Sequence, residues 1–121
     1  MELIRKYFPD LNSQQILQFR KLLNIVPQLN QKVNVISRKD IDYLEERHIL
    51  HSLSIAKKFS FNGSASVVDV GTGGGFPGIP LAIMFPDAAF TLVDSIGADR
   101  AVQPAAGGYS GLAVTSHKVV Q

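Results

Sequence analysis

The chain has no cysteine. That excludes a disulfide framework and a thiolate metal site, and it suits a reducing compartment such as the cytoplasm. A long apolar run is also missing. Residues 79–93 are rich in apolar side chains, but Pro80, Pro86 and Asp87 interrupt them. No membrane span is therefore expected. Met1-Glu2-Leu3-Ile4-Arg5-Lys6 leads into no apolar stretch, so no signal peptide is expected. The sequence carries no internal repeat and no long low-complexity tract. What is present is 121 residues, 45% of them hydrophobic, enough for the core of one domain.

Charge is unevenly placed. Residues 1–64 hold ten Lys or Arg against six Asp or Glu, a balance of +4. Residues 65–121 hold two against four, a balance of −2. A basic segment suits a nucleic-acid partner, because phosphate contacts supply most non-specific affinity. An ordinary solvated helix surface accounts for the same count.

The N-terminal half reads as helices. Asn12-Ser13 offers a cap, and Ile16, Phe19, Leu23 and Val26 follow at helical spacing, with Leu17 and Leu22 widening the stripe. Pro27 is expected to end or kink this helix. Ser37, with Asp40 three residues on, resembles a capping box that opens a helix carrying Ile41 and Leu44. A third helical stretch is expected over about 50–59. Glu45, His48 and His51 share a face at spacings of three, a pattern open to a metal ion. No further ligand cluster accompanies them, so no metal is expected; structural use of Arg47 and His48 is preferred, with a basic or hydrogen-bonding role near RNA as the alternative. Phe61-Asn62-Gly63-Ser64 reads as a linker.

Residues 67–78 are the most informative stretch: Val-Val-Asp-Val-Gly-Thr-Gly-Gly-Gly-Phe-Pro-Gly. A β-branched run from about Ser66 to Val70 enters a glycine-dense turn. The turn opens into Ile79-Pro80-Leu81-Ala82-Ile83-Met84, which can wind as a helix. Strand, glycine turn and helix in that order form the ligand-binding corner of a doubly wound α/β fold. Glycine lets the backbone take positive φ and lets a ligand lie against it. A second strand is expected over Ala89–Val93, with Asp94 at its carboxyl end. An acid there, about 20 residues past the glycines, is placed to accept from both ribose hydroxyls of an adenosine. The alternative is that Asp94-Ser95 caps the next segment, but the glycine turn at the right distance before it favours the ribose role.

Glycine spacing alone leaves the cofactor open. Gly71-x-Gly73-x-Gly75 fits the loop of S-adenosylmethionine enzymes, and Gly73-x-Gly75-x-x-Gly78 fits the dinucleotide fingerprint. Two details favour S-adenosylmethionine. The first glycine follows the strand without a spacer. Phe76-Pro77 stiffens and widens the turn, and a bulky Phe76 would crowd a pyrophosphate.

The run VVDVGTGGGFPGIPLAIMFPDAAFTLVDSIG resembles the bacterial 16S ribosomal RNA guanine-N7 methyltransferases, the glucose-inhibited division protein B family. The upstream stretch NQKVNVISRKDIDYLEERHILHSLSIAKKF, residues 30–59, resembles the same family. The resemblance covers roughly residues 30–97. It implies an α/β fold: a partial Rossmann-like class I S-adenosylmethionine-dependent methyltransferase sheet, residues 64–121, preceded by an N-terminal helical segment, residues 1–63. It implies S-adenosylmethionine as cofactor, held by Asp69, Gly71, Thr72, Gly73, Gly75, Phe76 and Asp94. It implies 16S rRNA or the small ribosomal subunit as partner, and a cytoplasmic place of work.

Guanine N7 carries a lone pair without deprotonation, so this reaction needs no general base. Alignment and exclusion of water would supply the rate. No catalytic residue follows from the sequence. After Gly97 the family pattern lapses: Ala98-Asp99-Arg100 replaces a basic pair, and Pro104, Gly107 and Gly108 interrupt an expected helix. A third strand is expected within Leu112–Val119, where a complete fold of this type carries six or seven. The isolated chain is accordingly expected to be catalytically poor. A non-catalytic nucleotide- or RNA-binding remnant, or a fragment of an NAD-dependent oxidoreductase, would share the glycine turn.

Overall fold

The computed structural model describes residues 1–32 and 36–93. Helices come first: α1 (Glu2–Tyr7) and α2 (Ser13–Lys32). A continuous helical segment of changing pitch follows. It comprises a 3-10 turn (Ile41–Tyr43), a π-helical stretch (Leu44–Leu50), the short α3 (His51–Leu53) and a second 3-10 turn (Ser54–Lys57). Then come β1 (Ser66–Val70), α4 (Gly78–Met84) and β2 (Ala89–Val93).

The Asn12 cap forms in full. Asn12 Oδ1 accepts the Gln15 N–H at 2.8 Å, and Gln15 Oε1 accepts the Asn12 N–H at 3.0 Å. This reciprocal pairing satisfies two of the end-groups that a helix leaves open. The same Gln15 reaches across the fold. Its Nε2 donates to the carbonyls of Ile83 at 3.1 Å and Met84 at 3.2 Å, tying the end of α4 to the start of α2.

Three local expectations change. Helix α2 runs through Pro27 to Lys32. Proline forfeits one helix hydrogen bond, but Val26 and Asn30 are buried on either side and keep the helix docked. Leu17 is 54% exposed, because it lies about 200° around the helix from Phe19, which is buried with Leu22 and Val26. Ser37 and Asp40 close a turn through the Asp40 N–H and the Ser37 carbonyl at 3.0 Å. The Asp40 carboxylate binds Arg47 at 2.7 Å, so no capping box opens the segment, and the two expected helices merge into one.

β1 and β2 pair in parallel, Ser66 beside Ala89 through Val70 beside Val93. Their crossover is α4, as a βαβ unit requires. Helix α4 is buried from Gly78 through Ile83. It packs on β2 on one side and on α2 and α3 on the other. One continuous core results, joining Ile4, Phe19 and Leu53 of the helical part to Ile79, Ile83 and Phe90 of the α/β part. Val68 and Val70 are 56% and 75% exposed, so the opposite sheet face is uncovered among the described residues. The third strand expected within 112–119 lies outside the described residues.

Candidate functional site

The glycine turn sits at the carboxyl ends of both strands. Gly71, Gly73 and Gly75 all take positive φ, at 74°, 57° and 99°. The turn is laced internally. The Gly71 and Thr72 N–H groups both donate to the Val93 carbonyl, at 2.7 and 3.1 Å. The Gly75 and Phe76 N–H groups both donate to the Thr72 carbonyl, at 3.0 and 3.1 Å. The Phe76–Pro77 peptide is cis.

Asp69 ties this turn to α4. Its Oδ2 accepts the Gly78 N–H at 2.9 Å, which is one of the first-turn donors a helix leaves open. The next donor, the Ile79 N–H, bonds the Gly75 carbonyl at 2.8 Å. The loop therefore does not present its helix N–H groups as an anion cradle.

The glycines divide into two kinds. A Cβ on Gly71 or Gly73 would meet nothing within 4 Å. Their faces are open to a ligand. A Cβ on Gly75 would come within 2.3 Å of Ile79 Cδ1, and one on Gly78 within 2.9 Å of both Asp69 Oδ2 and Leu92 Cγ. Those two are glycine for internal packing. In the dinucleotide fingerprint the second glycine lets the pyrophosphate approach. Here that position, Gly75, is filled by Ile79.

Thr72 is buried, and its Oγ1 has no hydrogen-bond partner among the described residues. Phe76 packs its ring against His48, centroids 5.7 Å apart. The structure thus places Gly71, Thr72, Gly73, Gly75 and Phe76 in one turn, with Asp69 near the end of β1 beside it. Asp94 lies outside the described residues.

A cleft of about 250 Å³ adjoins the Phe76 end of the turn, lined by Arg47, His48, His51, Ile55, Phe76 and Pro77 among others. Arg47 binds Asp40 through Nη1 at 2.7 Å and lies over the Tyr43 ring at 4.2 Å. The Arg47 hydrogen bond and charge hold the Asp40 carboxyl below its usual range. His48 Nε2 stands 3.7 Å from Asp40 Oδ2, too long for a hydrogen bond. The contact of His48 with Phe76 supports the packing role expected for it. The cleft is not evident from the sequence, although Arg47, His51 and Ser54 recur at helical spacing. Among the described residues no group of three His, Asp or Glu side chains is arranged to hold a metal ion.

Residues 15–98 match the family described as rRNA small subunit methyltransferase G, GidB. The chain belongs to this family. Ribosomal RNA small subunit methyltransferase G of Christiangramia forsetii is 62% identical over 97 residues, covering 80% of this chain and 46% of that protein. The protein of the same name from Bacteroides fragilis is 60% identical, covering 80% and 47%. That from Cytophaga hutchinsonii is 56% identical, again covering 80% and 47%. The chain thus spans about half the length of the curated relatives it matches. The methyltransferase G match takes in the glycine turn, both strands and the segment that carries Arg47 and His48. No helix among the described residues is long and apolar enough to cross a membrane.

Proposed function

We propose that this chain carries the cofactor-binding part of an S-adenosylmethionine-dependent methyltransferase acting on N7 of a guanine in 16S ribosomal RNA. One observation carries the cofactor choice: the turn offers two open positive-φ glycines while its helix N–H groups are paired internally. Such a turn suits an adenosine without phosphates and suits a pyrophosphate poorly. The names of the relatives support the RNA substrate. The basic balance of residues 1–64 agrees with it.

The residues divide the work. Gly71 and Gly73 leave room for the nucleoside against the backbone. Asp69 holds the turn at fixed distance from α4 through Gly78. Thr72 anchors both arms of the turn through its backbone, and its buried hydroxyl is placed for a ligand group. Asp94 is the ribose acceptor. S-adenosylmethionine, when bound, supplies a methyl group on a sulfonium centre, which the N7 lone pair can attack directly. No base is needed, so the protein acts by orientation and by excluding water. The helical part, residues 1–63, and the α/β part, residues 64–121, are two units of one methyltransferase, at work in the cytoplasm on the small ribosomal subunit.

The test has two arms. Calorimetry should show binding of S-adenosylhomocysteine and none of NAD. Tritiated methyl transfer to unmodified small subunits should be measurable. Binding of NAD in preference to S-adenosylhomocysteine would overturn the cofactor reading. S-adenosylhomocysteine binding with no methyl transfer would favour a non-catalytic role.

A further inference from the structure

The cleft between the helical segment and Phe76-Pro77 is separate from the open faces of Gly71 and Gly73. Its volume of about 250 Å³ lies below the ~300–1,000 Å³ of pockets that enclose a whole small ligand. One unit of a longer polymer fits it better than a free cofactor. Its two walls differ in chemistry. Phe76 and Pro77 give a flat apolar wall, with the His48 ring tilted 54° to Phe76. Arg47 and His51, both exposed, give a cationic mouth.

Arg47 is prepared for an anion. Asp40 occupies Nη1, and the Tyr43 ring supports the guanidinium plane. Its guanidinium carries five donors in a planar fork, a shape that matches phosphate geometry. His48 Nε2 is buried, whereas Arg47 and His51 are exposed, so an anion at the mouth meets Arg47 and His51. Single-stranded RNA is read by bases stacked on aromatic side chains, with phosphates held by arginine. Arg47 and His48 lie in the π-helical stretch, a winding that recurs at functional sites.

We propose that this cleft seats one nucleotide of the RNA, its base against Phe76 and Pro77 and its phosphate on Arg47 and His51. The proposal rests on the RNA-methyltransferase reading above. Guanosine 5′-monophosphate, guanosine and inorganic phosphate serve as probes, titrated into the 121-residue chain while the ring signals of His48 and His51 are followed by NMR. The monophosphate should move both rings and bind about tenfold more tightly than guanosine, the worth of one charge-assisted hydrogen bond. Arg47→Gln should erase that tenfold advantage. Phe76→Leu should weaken the monophosphate and the nucleoside alike; if it unfolds the chain, Arg47→Gln decides.

Unmoved His48 and His51 signals would overturn the proposal, as would an Arg47→Gln variant that binds the monophosphate like the parent. Calorimetry with S-adenosylhomocysteine separates the two readings. Retained S-adenosylhomocysteine binding with no nucleotide response sinks the cleft proposal alone. A nucleotide response at both histidines without S-adenosylhomocysteine binding upholds the cleft and sinks the cofactor reading.

Discussion

The Oδ2 atom of Asp69, on β1, accepts a hydrogen bond from the Gly78 N–H at the start of α4, at 2.9 Å. The two residues are nine apart, and the whole glycine turn lies between them. One carboxylate therefore clamps both ends of the loop that the cofactor is proposed to touch. A charge-assisted bond of this kind contributes about 1.5–3 kcal/mol. Asp69→Ala should lower the melting temperature and weaken S-adenosylhomocysteine binding together. Asp69→Asn keeps an acceptor oxygen and should fall between. Thermal melts and calorimetry on the two variants check this; unchanged binding in Asp69→Ala would mean that the clamp does not shape the site.

The two kinds of glycine should respond differently to a methyl group. Gly73→Ala meets open space, so its stability cost should be only the left-handed backbone, about 1–2 kcal/mol, while its binding face is obstructed. Gly75→Ala adds a collision with Ile79 Cδ1 at 2.3 Å. Overpacking of that sort costs about 1–3 kcal/mol more. Denaturant melts should therefore rank Gly75→Ala below Gly73→Ala. Ile79→Val removes Cδ1 and should recover part of the Gly75→Ala loss. A double mutant no better than Gly75→Ala would show that the clash is not the cause.

Much of this arrangement is legible in the sequence. β1 and β2 form over Ser66–Val70 and Ala89–Val93 as expected, because short β-branched runs bounded by turn residues have few other uses. The glycine turn is equally plain, since positive φ at Gly71, Gly73 and Gly75 leaves little choice of residue. Long-range pairings are not legible. Nothing local to Gln15 reveals that it holds the end of α4, 68 residues away. The Arg47–Asp40 pair diverts the acid of an apparent capping box, and only the folded chain shows which partner wins. The cleft is hidden for the same reason: its walls come from residues 47–55 and 76–77, which only the packing of α3 against α4 brings together.

Asp94 follows β2, whose last residue, Val93, accepts both the Gly71 and the Thr72 N–H. The strand end and the glycine turn are thus locked together, one residue short of the proposed ribose acceptor. Asp94→Ala should weaken S-adenosylhomocysteine by about 1.5–3 kcal/mol, or roughly ten- to 150-fold. The melting temperature without ligand should change little. Calorimetry showing parental affinity would put the ribose elsewhere.

Glu45 gives the fold an acid-sensitive joint. Its Oε2 pairs with the Met1 ammonium at 2.9 Å, and its Oε1 accepts the Ile4 N–H at 3.1 Å. Burial works to raise its pKa, but the ammonium and the amides of Ile4 and Leu3 together outweigh burial and hold it below the usual glutamate value. A carboxyl lowered in the folded state binds its proton less readily there than in the unfolded chain. Its stabilisation is therefore complete above the ordinary glutamate pKa and is lost as the pH falls through the lowered value. Glu45→Gln should melt below the parent at neutral pH, since α1 loses a charged acceptor at its first turn. The two melting curves should converge as the medium is acidified through that range. A gap between them that stays constant from neutral to strongly acid pH would show that the Glu45 charge is not what holds α1 to the helical segment.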